Sequence, residues 1–270
     1  MTRLKSDWIS DIQNNIDRYD IELKAKLGLG LMELACLAVD LQKEELVSKM
    51  KSDKIYIIPI TSGQGEIGYF AESIKAIIDK MDFNSTITKA TDVAGYYEAI
   101  IDGANIIFMA DDNEFIAMNL KSGLIINNNE ATANGFFAAF RIIYEKTPKE
   151  ARKVALIGAG KVGSIVLKLM VENNIDISVL EIDSDIKRSL KEKKYKIIEN
   201  LEELIEYDFV FDASSQGDFI QKSMLKNGAW FIGPGVPISL SSDAILENQE
   251  RIIHDYLPIG VSTMLTMAYK

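Results

Sequence analysis

The sequence predicts an α/β protein of two domains, and three observations carry this prediction. Short apolar runs alternate with helical patterns along most of the 270 residues, which is typical of strands joined by helical crossovers. One apolar run leads into a glycine-rich turn and a further helix at residues 153–170. Because this turn lies past the midpoint of the chain, the residues before it are numerous enough to form a domain of their own.

Residues 3–50 predict two helices, with a break where glycines stand at 28 and 30. The first helix carries an apolar stripe at a spacing of four residues, which is one face of a helix. The stripe consists of Leu4, Trp8, Ile12 and Ile16. The stripe could pack in the protein core, form a lid over a substrate or form a dimer interface, and the sequence leaves these three roles open. We favour a homodimer in which this helix closes over the substrate.

The remainder of the first domain alternates strands and helices up to a linker at 147–149. Strands are predicted at 54–60, 85–88, 104–110 and 123–126, and helices at 69–81, 95–102 and 132–145. This alternation predicts parallel strand pairing. We expect N-terminal helices with a small α/β substrate domain over residues 1–148, and a second domain over residues 149–270.

Three polar segments of the first domain each follow an apolar strand. They are residues 61–66, 111–113 and 127–130. Ligands in open α/β sheets bind beyond the carboxyl ends of strands, so we predict a substrate site here, although turn chemistry alone would explain Ser, Gly and Asn. Asp111 and Asp112 suit an ammonium group, whereas Ser62 and Asn128 suit carboxylates or amides. No Cys or His cluster accompanies these acids, so no metal site is predicted.

The turn after the apolar run at 153–157 has the glycine spacing of a dinucleotide-binding loop. Gly158 permits the tight turn, Gly160 lets the backbone approach a pyrophosphate, and Gly163 lets the helix pack closely on the strand. The helix, expected from Ser164, offers free N–H groups and its positive dipole end to phosphates. We therefore predict a Rossmann-type, doubly wound domain. Its cofactor-binding loop comprises Gly158, Ala159, Gly160, Lys161, Val162 and Gly163.

The residue after the next strand indicates which cofactor binds. Glu181 follows the apolar run 177–180, about 20 residues after the first glycine, where an acid is expected to bind the ribose hydroxyls. A carboxylate there repels a 2′-phosphate, so we predict NAD rather than NADP, with Asp183 as a competing ribose partner. Two later strand ends complete the predicted site with Ala213, Ser214 and Pro234.

The other elements of the second domain follow the same alternation. Helices are predicted at 184–194 and 202–206, strands at 196–198, 209–211, 229–232 and 252–257, and an apolar helix at 260–269. We expect the last helix to fold back toward the first domain.

Composition argues against several classes of function. A net charge of −10 disfavours binding to nucleic acid through its phosphates. No apolar run of about 18 residues and no signal-peptide core are present, so we expect a cytoplasmic protein with no membrane partner. The one cysteine, Cys36, excludes an internal disulfide. The one histidine, His254, is expected to be structural or on the surface, which disfavours a dehydrogenase that relies on a histidine base.

Several segments resemble the pyrrolysine synthases, the dehydrogenases that complete pyrrolysine biosynthesis. They are Pro59–Gly68, Asp92–Ala99 with its Tyr96-Tyr97 pair, Met109–Asn113 and Asn127-Asn128. The resemblance extends over essentially the whole chain, from Leu4 to residues 258–260. The chain departs from the family pattern at residues 129–135. The resemblance therefore does not predict which side chains of that segment line the substrate site.

The resemblance implies a substrate and a reaction. The substrate is a dipeptide-like lysine whose side-chain nitrogen is acylated by 3-methyl-D-ornithine, and NAD⁺ accepts a hydride from the carbon that bears the terminal amine. The imine hydrolyses to a semialdehyde with loss of ammonia, and ring closure gives L-pyrrolysine. Water can take the amine proton, so no catalytic residue is named. The implied substrate-binding residues are Leu4, Ile60, Ser62, Phe70, Asp111 and Asn128.

Two alternatives remain from the residues alone. One is another NAD-dependent dehydrogenase, acting on an amino acid or a shikimate-like substrate. The other is a nucleotide-sensing regulatory module, which would bind the dinucleotide without turnover and would not need the polar strand ends of residues 61–130.

Overall fold

The computed structural model describes residues 3–50 and 52–270, which form two compact units. The first unit runs to Gly135 and resumes at Tyr256–Lys270, and the second is Phe136–Asp255. The division thus lies inside helix α7, Asn128–Lys146, whereas the sequence places the boundary after residue 148. The helix spans the division because its two halves pack on different cores. A Cβ at Gly135 would lie 2.5 Å from Ile259 in the first unit, and Phe140 packs edge-on against Phe209 in the second.

The N-terminal region forms four helices. They are α1 Ser6–Ile9, α2 Ile12–Leu27, α3 Leu31–Val39 and α4 Lys43–Met50. The break at Gly28 is present, with a left-handed φ of 83° that ends α2. The expectation of only two helices is wrong, because the chain also turns between α1 and α2 and again at Asp40, whose φ is 56°. The stripe from Leu4 to Ile16 therefore does not lie on one helix, although Ile16 is buried and Trp8 stacks on Tyr256.

The first unit contains a five-stranded sheet with the order β2-β1-β3-β4-β5. Its strands are β1 Lys54–Ile58, β2 Asn84–Ile87, β3 Ile106–Ala110, β4 Phe115–Asn119 and β5 Ile125–Asn127, with helices α5 Phe70–Lys80 and α6 Asp92–Ile101 between them. β1 pairs in parallel with β2 and β3, but β4 is antiparallel to both β3 and β5. The sequence prediction missed β4 and the antiparallel pairing, because the polar turn at Asp111 reverses the chain within a few residues.

Both faces of this sheet carry buried residues. Ile57, Phe108 and Ala117 share a row on one face, and all three are buried. The opposite face packs Tyr56, Ile58 and Ile107 against Ala99 of α6. The last helix, α11 Pro258–Met267, belongs to the first unit and is almost wholly buried.

The second unit is a six-stranded parallel sheet with the order β11-β10-β9-β6-β7-β8. The strands are β6 Val154–Ile157, β7 Ile177–Leu180, β8 Lys196–Ile197, β9 Phe209–Asp212, β10 Trp230–Gly233 and β11 Ile252–His254. The helices are α8 Lys161–Glu172, α9 Ser184–Glu192 and α10 Ser242–Asn248. The strand order reverses between β6 and β9, which confirms the predicted doubly wound, Rossmann-type fold. The helix predicted at 202–206 is a short 3₁₀ turn, Leu201–Glu206.

Across residues 3–50 and 52–270, none of the helices combines the length and the apolar character that crossing a bilayer requires.

Candidate active site

The glycine loop of the second unit is built around one close approach. Gly158 follows β6 with a left-handed φ of 80°, and its N–H donates to the Leu180 carbonyl at 2.8 Å. A Cβ on Gly163 would lie 2.0 Å from the Gly158 carbonyl oxygen. Because real Cβ atoms never approach an oxygen so closely, only glycine allows α8 to begin directly against the turn.

The N-terminus of α8 is open toward a ligand. Gly160 is the N-cap residue, and no side chain caps the helix. A Cβ on Gly160 would meet no atom within 4 Å, so the space above the loop is free. The helix starts at Lys161 rather than at Ser164 as expected, so Lys161, Val162 and Gly163 supply its first-turn N–H groups. This arrangement fits the pyrophosphate of a dinucleotide, which such N–H groups and the helix dipole stabilise.

Glu181 holds the glycine loop through a hydrogen bond to its backbone, a role that the sequence did not indicate. Its buried carboxylate accepts a hydrogen bond from the Ala159 N–H at 2.7 Å through Oε2. Its Oε1 accepts from the N–H groups of Ile182 at 2.7 Å and Asp183 at 2.8 Å. The acid predicted to bind a ribose therefore also ties the end of β7 to the glycine loop.

Asp183, the competing ribose partner, is the N-cap of α9. Its Oδ1 accepts from the N–H groups of Asp185 at 2.9 Å and Ile186 at 3.0 Å. These bonds satisfy two of the free donors of the helix and hold the Asp183 carboxylate at the exposed start of α9.

The two remaining cofactor segments converge beside the glycine turn. Ala213 donates its N–H to the Ile157 carbonyl at 2.9 Å, and a Cβ on Gly158 would lie 3.3 Å from the Ala213 backbone. The loop that contains Pro234 is joined to this segment, because the Gly235 N–H donates to the Asp212 carbonyl at 2.9 Å. The second unit therefore brings the predicted cofactor residues to one edge of its sheet.

Asp212 directly precedes the predicted cofactor residues Ala213 and Ser214 at this edge. It is fully buried at the end of β9, and its Oδ1 accepts from the Ser214 N–H at 2.9 Å. Burial raises the pKa of the Asp212 carboxyl. The signal for it in the sequence is an acid placed directly after an apolar strand and before a small-residue loop.

His254 has a structural setting. It lies partly buried at the end of β11, with Nδ1 2.7 Å from the Gly233 carbonyl oxygen. Burial lowers the pKa of His254 to about 4. The imidazole is therefore neutral at physiological pH, and the carbonyl contact places its proton on Nδ1.

The strand ends that were predicted to bind substrate meet at one edge of the first sheet. Ile58, Met109, Ile116 and Asn127 form one row across β1, β3, β4 and β5. Because β4 reverses the chain, β5 runs in the same direction as β1 and β3. The segments after β1, β3 and β5 therefore leave the sheet on the same side.

Asp92, which is not among the predicted site residues, holds the segment after β1. Its carboxylate accepts from both the N–H of Thr61, at 2.8 Å, and the Thr61 hydroxyl, and its own N–H donates to the Pro59 carbonyl at 2.9 Å. The residue adopts a left-handed φ of 55°, which is costly for a non-glycine residue. These bonds fix the backbone between the predicted substrate residues Ile60 and Ser62, and they lower the pKa of the Asp92 carboxyl.

Asp111 organises the turn between β3 and β4. Its Oδ1 accepts from the N–H groups of Asn113 and Glu114, both at 2.8 Å. These backbone donors lower the pKa of the Asp111 carboxyl. The neighbouring Asp112 accepts from the Gln64 N–H at 2.8 Å, so the turn is joined to the segment that contains Ser62.

The N-terminal segment lies against the same edge. Arg3 pairs with Asp112 and donates to the Gly65 carbonyl at 2.8 Å, which places Leu4 next to this loop. Phe70 begins α5 and packs edge-on against Phe115, with ring centroids 5.2 Å apart. Leu4, Ser62, Phe70 and Asp111 therefore belong to segments that contact one another directly.

Asn128 has a different setting from the one expected. The predicted loop at 127–130 is wrong, since Asn127 ends β5 and Asn128 begins α7. The Asn128 Oδ1 accepts from the Thr132 hydroxyl at 3.3 Å, and a Cβ on Gly260 would lie 3.1 Å from it. The run of Asn and Glu predicted a loop wrongly, because these residues suit the first turn of a helix as well as a loop.

Comparison with known proteins gives concordant results. The sequence model described as pyrrolysine biosynthesis protein PylD, N-terminal domain, matches residues 8–126. The chain is 35% identical to the pyrrolysine synthase of Methanosarcina acetivorans over 217 residues, 79% of this chain and 81% of that protein. It is 31% identical to the pyrrolysine synthase of Methanosarcina barkeri over 265 residues, 98% of this chain and 97% of that protein.

Solved structures show a likeness of fold. Shikimate 5-dehydrogenase from Thermus thermophilus, in complex with NADP(H) and shikimate, superimposes with a TM-score of 0.51. The identity is 10%, and the match covers 80% of this chain and 93% of that chain.

The glycine loop gives a paired prediction. Gly163→Ala places a Cβ against the Gly158 carbonyl, so we expect a loss of about 1–3 kcal/mol in the free energy of unfolding together with loss of dinucleotide binding. Gly160→Ala has open space for its Cβ, so it should lose less stability than Gly163→Ala, only the cost of a poorer N-cap, while its dinucleotide affinity falls. Denaturant unfolding and calorimetric titration measure the two effects. Equal stability of both variants would contradict this account of the loop.

The hydrogen bonds between Asp92 and Thr61 give a second prediction. Asp92→Ala removes the acceptors for both Thr61 donors, so amide hydrogen exchange over residues 60–66 should accelerate several-fold while exchange in the second unit stays unchanged. Asp92→Asn keeps one acceptor and tolerates a positive φ, so its exchange should be intermediate. Unchanged exchange in Asp92→Ala would show that other contacts hold this segment.

Proposed function

The chain belongs to the pyrrolysine synthase family, and we propose that it completes the formation of L-pyrrolysine by NAD-dependent oxidation of an amine. The near full-length match to two relatives named for that synthesis carries the proposal. A dinucleotide-type loop in the second unit and a polar strand edge in the first support it.

The proposed substrate is 3-methyl-D-ornithyl-N6-L-lysine. Its terminal CH–NH₂ group loses a hydride and a proton to become an imine. Water then adds to the imine, ammonia leaves, and a semialdehyde remains. The aldehyde condenses with the ornithine α-amine and releases one water, which closes the ring. The net change is one NAD⁺ reduced and one ammonium released for each L-pyrrolysine formed.

The residues that would hold NAD lie at the edge of the second sheet. NAD⁺, when bound, supplies the hydride acceptor. The N–H groups at the start of α8 would hold the pyrophosphate, and Glu181 and Asp183 would face the adenosine ribose. Two carboxylates at that position repel a 2′-phosphate, which favours NAD over NADP.

Asp111 is suited to bind a cationic amine of the substrate. Because two backbone N–H groups stabilise its charged form and lower its pKa, the carboxylate remains ionised throughout the neutral range. One of its oxygens accepts the bonds of its own turn, so the carboxylate is held in one orientation. A fixed negative charge would attract the ammonium groups of the substrate and orient it.

We assign the amine proton to water rather than to a protein base. His254 is the one imidazole of the sequence, and it lies partly buried against Gly233 with a lowered pKa. Oxidation of an amine needs its free base, but it needs no strong protein base once the free amine is bound. The chain then contributes binding, orientation and charge, while the cofactor supplies the redox chemistry.

The direct test is incubation of the purified chain with the dipeptide and NAD⁺. NADH should rise at its absorbance band, and mass spectrometry should detect L-pyrrolysine. Replacement of the substrate by shikimate should give no NADH, and replacement of NAD⁺ by NADP⁺ should give a much lower rate. Dinucleotide binding without turnover of the dipeptide would show that the proposed function is wrong.

Asp111→Asn separates charge from turn structure. The amide oxygen still accepts from Asn113 and Glu114, but the negative charge is lost. We expect kcat/KM for the dipeptide to fall by about 10- to 100-fold, the value of one charge-assisted contact, with NAD⁺ affinity unchanged. Asp17→Asn removes an exposed charge of α2 that pairs with Lys80, and it should have no effect on either. Equal losses of dipeptide turnover and NAD⁺ affinity in Asp111→Asn would place this residue outside the substrate site.

A further inference from the structure

One buried acid of the second unit has no part in the proposed reaction. Asp212 ends β9 and is fully buried, and so is Ser239. The hydroxyls of Ser214 and Ser239 both lie beside the Asp212 carboxyl. Neither these hydroxyls nor the Asp212 Oδ2 has another hydrogen-bond partner among residues 3–50 and 52–270. Because buried polar atoms of a folded protein are nearly always hydrogen-bonded, we expect the three side chains to bond to one another.

Asp212 stands at the point where the strand order of the second sheet reverses. It is in register with Ile157 of β6, the residue before Gly158. A doubly wound sheet of this kind consists of two mononucleotide-binding halves, and its ligand lies across the crevice at the reversal. The glycine loop and Glu181 belong to the half that contains β6 and β7. The half that contains β9, β10 and β11 is therefore the one that would receive the nicotinamide nucleotide.

The segments that follow β9 and β10 meet at Asp212. Its Oδ1 accepts from the Ser214 N–H, and its backbone carbonyl accepts from the Gly235 N–H, both at 2.9 Å. A Cβ on Gly235 would lie 2.4 Å from the Ser214 carbonyl oxygen, so the two segments are in direct contact. They carry the predicted cofactor residues Ala213, Ser214 and Pro234.

Ser239 reaches the same carboxyl from the continuation of the segment after β10. Its backbone carbonyl accepts from the N–H groups of Phe219 and Ile220, both at 2.8 Å. The Ser241 N–H in turn donates to the Ile220 carbonyl at 3.0 Å. The backbone around Ser239 is thus fixed to the chain that follows β9, and one carboxyl lies beside both connections of this half.

We propose that Asp212 is a positioning residue for the cofactor, whose carboxyl joins residues 213–215 to residues 233–239 through the hydroxyls of Ser214 and Ser239. These segments then keep the shape that receives the nicotinamide half of NAD⁺. The inference rests on the proposed function, because it takes NAD⁺ as the ligand of this edge. Since Asp212 is fully buried, it acts through the residues that border the ligand and does not contact the ligand itself.

The surroundings of Asp212 favour an uncharged carboxyl. Burial raises the pKa of this carboxyl, and the groups that oppose the effect are two hydroxyls and one backbone N–H, with no cation among them. His254, on β11 of the same sheet, is also neutral, because burial lowers its pKa to about 4. An uncharged carboxyl accepts a hydrogen bond through one oxygen and donates one through the other, as an asparagine amide does through its oxygen and nitrogen. Asparagine should therefore replace Asp212 without loss of this arrangement.

Calorimetric titration of the full chain with NAD⁺ tests the proposal. Asp212→Asn should bind NAD⁺ as tightly as the wild type. Asp212→Leu has a similar volume but no polar side-chain atom, so it should bind at least about 10-fold more weakly, as expected when a buried hydrogen-bond network is lost. Ser239→Ala keeps the carboxyl and removes one hydroxyl, and its affinity should fall about 5-fold. This second variant keeps the test decisive if Asp212→Leu does not fold.

A buried serine of the first unit provides the matched control. Ser262 lies in α11 and is also buried, so Ser262→Ala removes a buried hydroxyl away from the cofactor edge and should bind NAD⁺ as the wild type does. Unchanged affinity in Asp212→Leu or Ser239→Ala would overturn the proposal, and so would a loss in Asp212→Asn equal to that in Asp212→Leu.

Amide hydrogen exchange separates positioning from a general loss of stability. In Asp212→Leu, exchange over residues 213–220 and 233–241 should accelerate several-fold while exchange in β6 and β7 stays as in the wild type, and Asp212→Asn should match the wild type throughout. Uniform acceleration across the second unit would contradict the proposal. Neither measurement needs the dipeptide, so a chain that binds NAD⁺ without oxidising the dipeptide would refute the proposed function and not the role of Asp212. A wild-type chain that binds no NAD⁺ would overturn both.

Discussion

The turn at Asp111 is the constraint on which the predicted substrate edge of the first unit depends. One carboxylate oxygen accepts two backbone N–H groups and reverses the chain from β3 into β4. Only because β4 runs backward does β5 end beside β1 and β3. Without this reversal Asn127 and Asn128 would leave the sheet at the opposite edge from Ser62. The same residue is therefore responsible both for the layout of the edge and for its fixed negative charge.

Carboxylates have a comparable role throughout this acidic chain. Glu181 holds the glycine loop, Asp183 caps α9, Asp92 holds Thr61, and Glu98 satisfies the backbone before α6. Each of these acids accepts N–H groups of irregular backbone that would otherwise lack a partner. The acidic residues behind the net charge of −10 therefore do more than keep the protein surface solvated. Some of them stabilise loops next to the predicted ligand-binding edges, where helices and sheets cannot supply the hydrogen bonds.

Sequence reasoning predicted the second unit well because local signals determine it. Apolar runs such as 154–157 and glycines at required spacings specify strands, turn and helix within short windows. Sequence reasoning predicted the first unit less accurately. A single run of polar residues predicted a loop at 127–130, but those side chains also suit the first turn of α7. The partners of Arg3 and Asp92 lie 109 and 31 residues away in the chain, and no local pattern could have indicated them. Glu181 was found by its spacing, while its bond to Ala159 emerged only from the folded chain.

The placement of α11 has a consequence for synthesis of the protein. The helix is made after the whole second unit, yet its residues Ile259, Val261 and Met264 are fully buried in the first. The second unit is a contiguous segment, so it can fold on the ribosome as soon as Asp255 has emerged. The first unit cannot complete its core until α11 has been synthesised. The apolar residues that α11 covers stay exposed while about half of the chain is translated, and exposed apolar surface of this kind favours aggregation.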